Sequence, residues 1–158
     1  ILYRLVGSEM CIRDRYVSQT LGGRRIQRWK HPIKKMENTL YKASHVKHPS
    51  NLWVRASQNH YNWLYEMWTH LCDEYTHRYG KVHLTDKKLR EMLQSAPMQI
   101  DVEPYVDPYL AMPNDVKQSN VVEAYKNYYI NYKKDFAKWT NRPVPEFMNF
   151  ETHAGYAS

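Results

Sequence analysis

Between Ser57 and Gly80 no proline or glycine interrupts the chain, and this run constrains the fold more than any other feature. Ser57 is a good N-cap and Gly80 a frequent helix stop. From Tyr61 onward, aromatic and aliphatic residues recur at three- and four-residue steps: Tyr61, Leu64, Trp68, Leu71, Tyr75 and Tyr79, with Tyr65 and Cys72 widening the face. That spacing predicts one long helix whose stripe forms the core seam. Pro49 fits poorly inside a helix, so Ser50 or Asn51 is expected to cap a short turn before the long one. A second, flanking stripe reads His60, Trp63, Met67, His70, Glu74 and Arg78. It mixes bulky rings with groups that titrate or donate.

The 158 residues suffice for one domain with a real core. Fourteen tyrosines against three phenylalanines point to a shallow core with ring edges left wet. Two cysteines, Cys11 and Cys72, give neither a zinc spacing nor a disulfide framework, and a reducing compartment is the default. No apolar run approaches the roughly 20 residues a membrane span requires, so no membrane association is expected. The net charge of +7 is concentrated. Between Tyr16 and Ser50 stand eight basic residues (Arg24, Arg25, Arg28, Lys30, Lys34, Lys35, Lys42, Lys47) and one acid, Glu37. Such asymmetry points to an arm for a polyanion, most often nucleic acid, with a solvated basic loop as the plain alternative. Trp29 lies among these cations, in the mixture that stacking on bases or following a phosphate backbone requires.

Along the chain, residues 1–15 contain GSEMCIRDR, which resembles translated sequencing-adapter DNA, so they are expected to form no part of the native fold. Residues 16–23 read as the last turns of a helix closed by Gly22 and Gly23. After the long helix, Thr85 is a plausible N-cap for a short helix reaching Ser95. Prolines 97, 104, 108 and 113 then rule out regular helix. Asn120 and Glu123 resemble a capping box, and Val122, Tyr125, Tyr129, Tyr132, Phe136 and Trp139 predict an amphipathic helix of almost five turns. The resulting expectation is an all-α fold: a compact single-domain helical bundle over residues 16–147, with a long Pro-spaced irregular connection between the third and last helices. Residues 148–158 read as a flexible tail.

Two constellations carry candidate chemistry. His70, Glu74 and Arg78 stand at four-residue steps on one side of a helix. There an imidazole and a guanidinium would orient the carboxylate as a general base or base-edge acceptor, and the plain alternative is an exposed Glu–Arg pair. His70 with Glu74 lacks a local third ligand, so no metal site is assigned. Arg55 and Asn59, beside Trp53, would form a polar pocket for a phosphate or base edge at the mouth of the central helix, next to His48, and the plain alternative is a capping and turn cluster in which His48 bonds a backbone carbonyl. Gly-rich phosphate loops and nucleophile elbows are missing from the sequence.

The blocks LYKASHVKHPSNLWVR, HYNWLYEM, LCDEYTHRYGKVH, LAMPNDVK, VEAYKNYYINYKKDFAKW and RPVPEF, in that order, resemble a family of small marine bacteriophage proteins, most of them unassigned. A fainter similarity runs to the phage pyrimidine-dimer DNA glycosylases. It rests on His48-Pro49 before a helix, on EYTHRYG (residues 74–80), and on the stretch from Trp139 to Pro143. Those enzymes use an N-terminal amine and an acid from the first helix, neither of which this chain shows.

The resemblance implies a DNA-associated protein of an infected cell's cytoplasm, possessing a glycosylase-like or base-modifying ancestry whose N-terminal catalytic part is missing. It leaves open whether the chain is an enzyme, and it implies no cofactor. Expected catalytic residues are Glu74, His48, Arg78 and His70. Expected nucleic-acid contacts are Arg24, Arg25, Arg28, Trp29, Lys30, Lys34, Lys35, Arg55, Trp53 and Trp63. The competing expectation is a non-enzymatic module whose aromatic helix faces bind another protein.

Overall fold

The computed structural model describes residues 14–43 and 45–149. Among them the chain forms a two-stranded sheet, β1 (Asp14–Gln19) and β2 (Arg25–Lys30), and five α-helices. The helices are α1 (Lys34–Thr39), α2 (Pro49–Ala56), α3 (Gln58–Tyr79), α4 (Leu84–Leu89) and α5 (Val121–Tyr132). Short 3-10 turns follow at Asn114–Val116, Lys134–Phe136 and Glu146–Met148. Two compact units result, one ending at Val106 and the other beginning at Asp107. No helix among the described residues is long and apolar enough to cross a membrane.

The sheet overturns the all-α expectation. β1 and β2 pair antiparallel, from Asp14 opposite Lys30 to Gln19 opposite Arg25. The Gly22-Gly23 pair closes a hairpin turn instead of a helix. Gly23 adopts φ 77°, a left-handed conformation that costs glycine little, and its N–H donates to Thr20 O at 2.9 Å. Tyr16, Val17, Ile26 and Trp29 are aromatic or β-branched and suit a pleated strand, whereas only the glycines favour a helix end there. The expectation for residues 1–15 lies outside the described residues except at Asp14 and Arg15, whose backbones belong to β1. That for 148–158 lies outside them from residue 150 onward.

The first unit is built on α3. Ser57 caps it, accepting from Asn59 N–H, and Gly80 closes it in the left-handed conformation. Tyr61, Leu64, Trp68 and Cys72 enter a core with Trp53 and Val54 of α2, Leu89 of α4, and Leu40, Leu93 and Ile100. The buried stripe is therefore narrower than the predicted seam. Leu71 and Tyr79 face solvent, 38% and 54% exposed. Leu71 sits about 100° around the helix from Cys72, and over 11 residues the seam follows the 61-64-68-72 line, not the 71-75-79 line.

Two caps also differ from expectation. His48, not Ser50 or Asn51, caps α2: its Nδ1 accepts from Ser50 N–H at 3.2 Å, with Pro49 at the first helical position. Proline is favoured there because that N–H would have no intrahelical partner. His83, not Thr85, caps α4, accepting from Thr85 N–H at 3.2 Å. Thr85 is buried instead, with its hydroxyl 3.1 Å from that of Tyr41. α4 ends at Leu89, short of Ser95.

In the second unit Met112, Val116 and Ala124 form a small buried cluster, against which Leu110, Tyr125 and Tyr128 pack. Asn120 caps α5, accepting from Glu123 N–H at 3.1 Å. The helix does not reach Trp139. Lys133 departs from helical angles (φ −124°, ψ −12°) and the chain tightens into the Lys134–Phe136 turn. Val122, Tyr129, Tyr132 and Phe136 are exposed, so the predicted apolar stripe is not the buried side. Small Ala124 occupies that position, because a methyl group admits Met112 and Val116 where a tyrosine ring would hold them off.

Candidate nucleic-acid interface

The hairpin and α1 carry the basic segment. Arg24, Arg25, Arg28, Lys30, Lys34 and Lys35 are all exposed. Trp29 is half-buried at the end of β2. The segment's one acid is committed to the fold: Glu37 Oε2 accepts from His31 N–H at 2.7 Å, while His31 Nδ1 accepts from Ile33 N–H at 3.0 Å. This pair of bonds fixes the corner between β2 and α1. Among the described residues no ion pair engages any of the six cations, so their field faces outward.

Trp53 and Trp63 are brought together. The extended backbone of Ser57 (φ −155°, ψ 146°) breaks the helical path between α2 and α3, and the two indoles meet edge to face at 5.7 Å. His60 stacks on Trp53 at 4.4 Å, and Tyr105 joins all three rings at 5.7–6.1 Å. Trp63 and Tyr105 keep part of their surfaces open, at 38% and 43%. His60 shares the flanking stripe with Trp63 in sequence, and Tyr105 belongs to the irregular segment expected to strap across the helices; the stacking of His60 on Trp53 is what periodicity does not show.

The same junction clasps residues 100–106. Gln58 N–H donates to Asp101 O and its amide to Ile100 O, at 2.9 and 2.7 Å. Ser57 Oγ and Asn59 Nδ2 both donate to Glu103 O, at 2.7 and 2.6 Å. Trp53 Nε1 donates to Val106 O at 2.8 Å. Val106 N–H donates to His60 Nε2 at 3.0 Å, so the proton of His60 sits on Nδ1 and goes to Trp53 O at 2.8 Å. Arg55 donates to Val46 O at 2.6 Å. The polar groups expected to hold a phosphate beside Trp53 are thus engaged with backbone carbonyls.

The His70–Glu74–Arg78 row divides. Arg78 Nε donates to Glu74 Oε1 at 2.6 Å, with side chains 20% and 28% exposed. His70 turns instead toward Glu66, 3.9 Å away in open solvent. Glu74 lies 11 residues beyond Trp63 on α3, about 16 Å along the axis. His48 is a helix cap, as described above.

A polar cluster centred on buried Asp86, whose link through Arg90 to Asp73 no local sequence pattern indicates, joins α3 to α4. Arg90 donates to both oxygens of Asp86, from Nε at 2.6 Å and Nη2 at 3.1 Å, and to Asp73 at 2.6 Å. Cys72, fully buried, lies against Asp86; burial first, and then that carboxylate, push its thiol up to about 12. Tyr65, donating to Arg90 O at 2.8 Å, is raised as well, mainly by burial. In the second unit Tyr132 donates to Asp115 at 2.6 Å, which raises its phenol, and Lys133 lies over the rings of Tyr128 and Phe136. Among the described residues no group of three His, Cys, Asp or Glu side chains is placed to hold a metal ion.

Compared with known proteins, the chain matches no family model, no curated protein and no solved structure.

Proposed function

We propose that this protein binds nucleic acid through the β1–β2 hairpin and α1. One observation carries the reading: six cations are displayed outward on a short stretch of regular backbone, and the one acid between Tyr16 and Ser50, Glu37, is held by His31 N–H. Neutralising phosphates with such groups releases counterions, so affinity should fall linearly with salt on logarithmic axes. If all six engage, the slope approaches about −5, which is roughly a thousandfold loss between 50 and 200 mM salt. Replacing Arg24, Arg25 and Arg28 by glutamate should at least halve the slope and weaken binding at every salt concentration. Fluorescence anisotropy with a labelled duplex and a labelled single strand measures both. A wild-type slope near zero, or unchanged affinity in the triple variant, overturns the proposal.

The narrower reading, a glycosylase-like base-modifying enzyme, asks Glu74 and Arg78 to act beside Trp53 and Trp63. It draws its support from the sequence resemblance. Glu74 is bonded to Arg78 far along the helix from the indoles, so nucleic acid is bound with no reaction assigned. A second reading, docking of a protein partner, is favoured by one observation: Val122, Tyr129, Tyr132 and Phe136 form an exposed apolar side of the second unit, 44–64% open. Partner binding there should be nearly insensitive to salt.

A further inference from the structure

We infer that one face of the hairpin reads base edges in the major groove of B-form DNA; this rests on the nucleic-acid reading above and narrows it to a sequence-selective duplex binder. In an antiparallel pair, residues directly opposite one another share a face, and alternate residues share it along each strand. The register places Gln19 opposite Arg25 and Val17 opposite Gln27, so these four lie on one face. All four are exposed, Val17 at 61%. On the reverse face Ser18 and Ile26 are half-buried. At the turn end of the hairpin the open side chains Val17, Gln19, Arg25 and Gln27 therefore make one continuous patch, while Tyr16, Arg28 and Lys30 are exposed farther along the reverse face.

Its chemistry is that of base-edge recognition. Arginine donates in a fork to guanine O6 and N7, glutamine both donates to and accepts from adenine N6 and N7, and a branched methyl packs against the thymine methyl. The face carries no aromatic ring other than half-buried Trp29 at its end, so it lacks the stacking platform that single-strand binders use. The dimensions agree. Six residue pairs span roughly 20 Å, and a major groove about 12 Å wide admits a two-stranded ribbon. The deep, narrow major groove of A-form RNA does not admit side chains in this way. Arg24 at the turn, Arg28 and Lys30 on the reverse face, and Lys34 and Lys35 on α1 supply positive charge for the flanking phosphates, where position matters more than base identity.

The test is selection from a duplex library with a randomised core, using the full chain, followed by affinity measurements on the recovered sequence and on single-base variants of it. The expected result is an enriched motif in which the wrong base costs roughly tenfold or more at some positions. Arg25→Ala and Gln27→Ala should each flatten discrimination at one position. Lys34→Ala with Lys35→Ala should weaken all duplexes alike and reduce the salt slope by about 2. The substituted side chains are exposed, and far-UV circular dichroism confirms that the variants fold. Binding without any sequence preference, or tighter binding to single strands, overturns the groove inference while leaving nucleic-acid binding in place. Absence of binding to every nucleic acid overturns both.

Discussion

Replacing Asp86 by asparagine tests whether the bond network between α3 and α4 holds the first unit together. The Asp86 side chain is 7% exposed and Arg90 forks onto both of its oxygens. It also sits in the first turn of α4, where a negative charge complements the helix dipole. Removing one partner of a buried ion pair costs about 3–5 kcal/mol, because the other charge is left without compensation. Two features reduce that figure. Arg90 is 36% exposed and keeps Asp73 at 2.6 Å, and an asparagine still offers one carbonyl acceptor. The expected loss is about 2–3 kcal/mol. Asp73, at 64% exposed, provides the internal control: Asp73→Asn should cost under about 1 kcal/mol. Urea denaturation at pH 7 resolves the two, provided the slope stays constant, and the melting temperature of Asp86→Asn should fall by roughly 5–10 °C. Equal effects at the two positions, or a loss below about 1 kcal/mol at Asp86, would refute the reasoning.

Glu74→Gln should cost about 1–2 kcal/mol, between the surface and buried cases, because the Glu74–Arg78 pair is roughly three-quarters buried. Equilibrium denaturation checks this, and a change within error reduces the pair to surface decoration. Cys72 should resist aromatic disulfide reagents in the folded protein and react only as the chain unfolds. It also sets an alkaline limit: its thiol is raised from 9.0 to about 12, so folded Cys72 keeps a proton that the unfolded chain releases. Its contribution is intact below pH 9 and falls by about 1.4 kcal/mol per pH unit from there until about pH 12. Denaturation midpoints measured from pH 7 to 11 should drop above pH 9, and less steeply in Cys72→Ala; parallel curves for the two proteins would contradict this.

What the sequence makes legible follows from how local each cause is. The extent of α3 is readable because Ser57 and Gly80 act through bonds to their immediate neighbours, and Asn120 marks the start of α5 for the same reason. The Glu74–Arg78 bond is readable too, since four-residue spacing on a helix brings side chains together. The hairpin is not, because a Gly-Gly pair suits a helix stop and a strand turn equally, and only pairing across the turn decides between them. Nor is the fate of Arg55 and Asn59. Four-residue spacing would put both on one side near Trp53, yet the helix breaks at Ser57, and Val46 O and Glu103 O, 9 and 44 residues away, claim their donors. The boundary of α5 escapes as well, for an apolar rhythm continues past Lys133 while the backbone does not.

The histidines show why a density of titratable groups is a poor guide to chemistry in this chain. His31, His48 and His83 each use Nδ1 to accept from the backbone N–H two residues ahead, a task usually given to Ser, Thr, Asp or Asn at a helix start. His60 spans Trp53 O and Val106 N–H and so ties α2 to the clasped segment. An imidazole whose lone pair already accepts a backbone hydrogen bond has no free base to offer a substrate, so these four rings hold corners and leave the chemistry to other groups. The tryptophan indole at position 53 and the amides of Gln58 and Asn59 are likewise committed to carbonyls. Among the described residues of the first unit, Arg24, Arg25, Arg28, Lys30, Lys34 and Lys35 form the densest set of exposed cations without an ion pair, on the hairpin and α1. There arginine, lysine and glutamine stand on regular backbone, and recognition of a charged, regularly spaced ligand demands that arrangement.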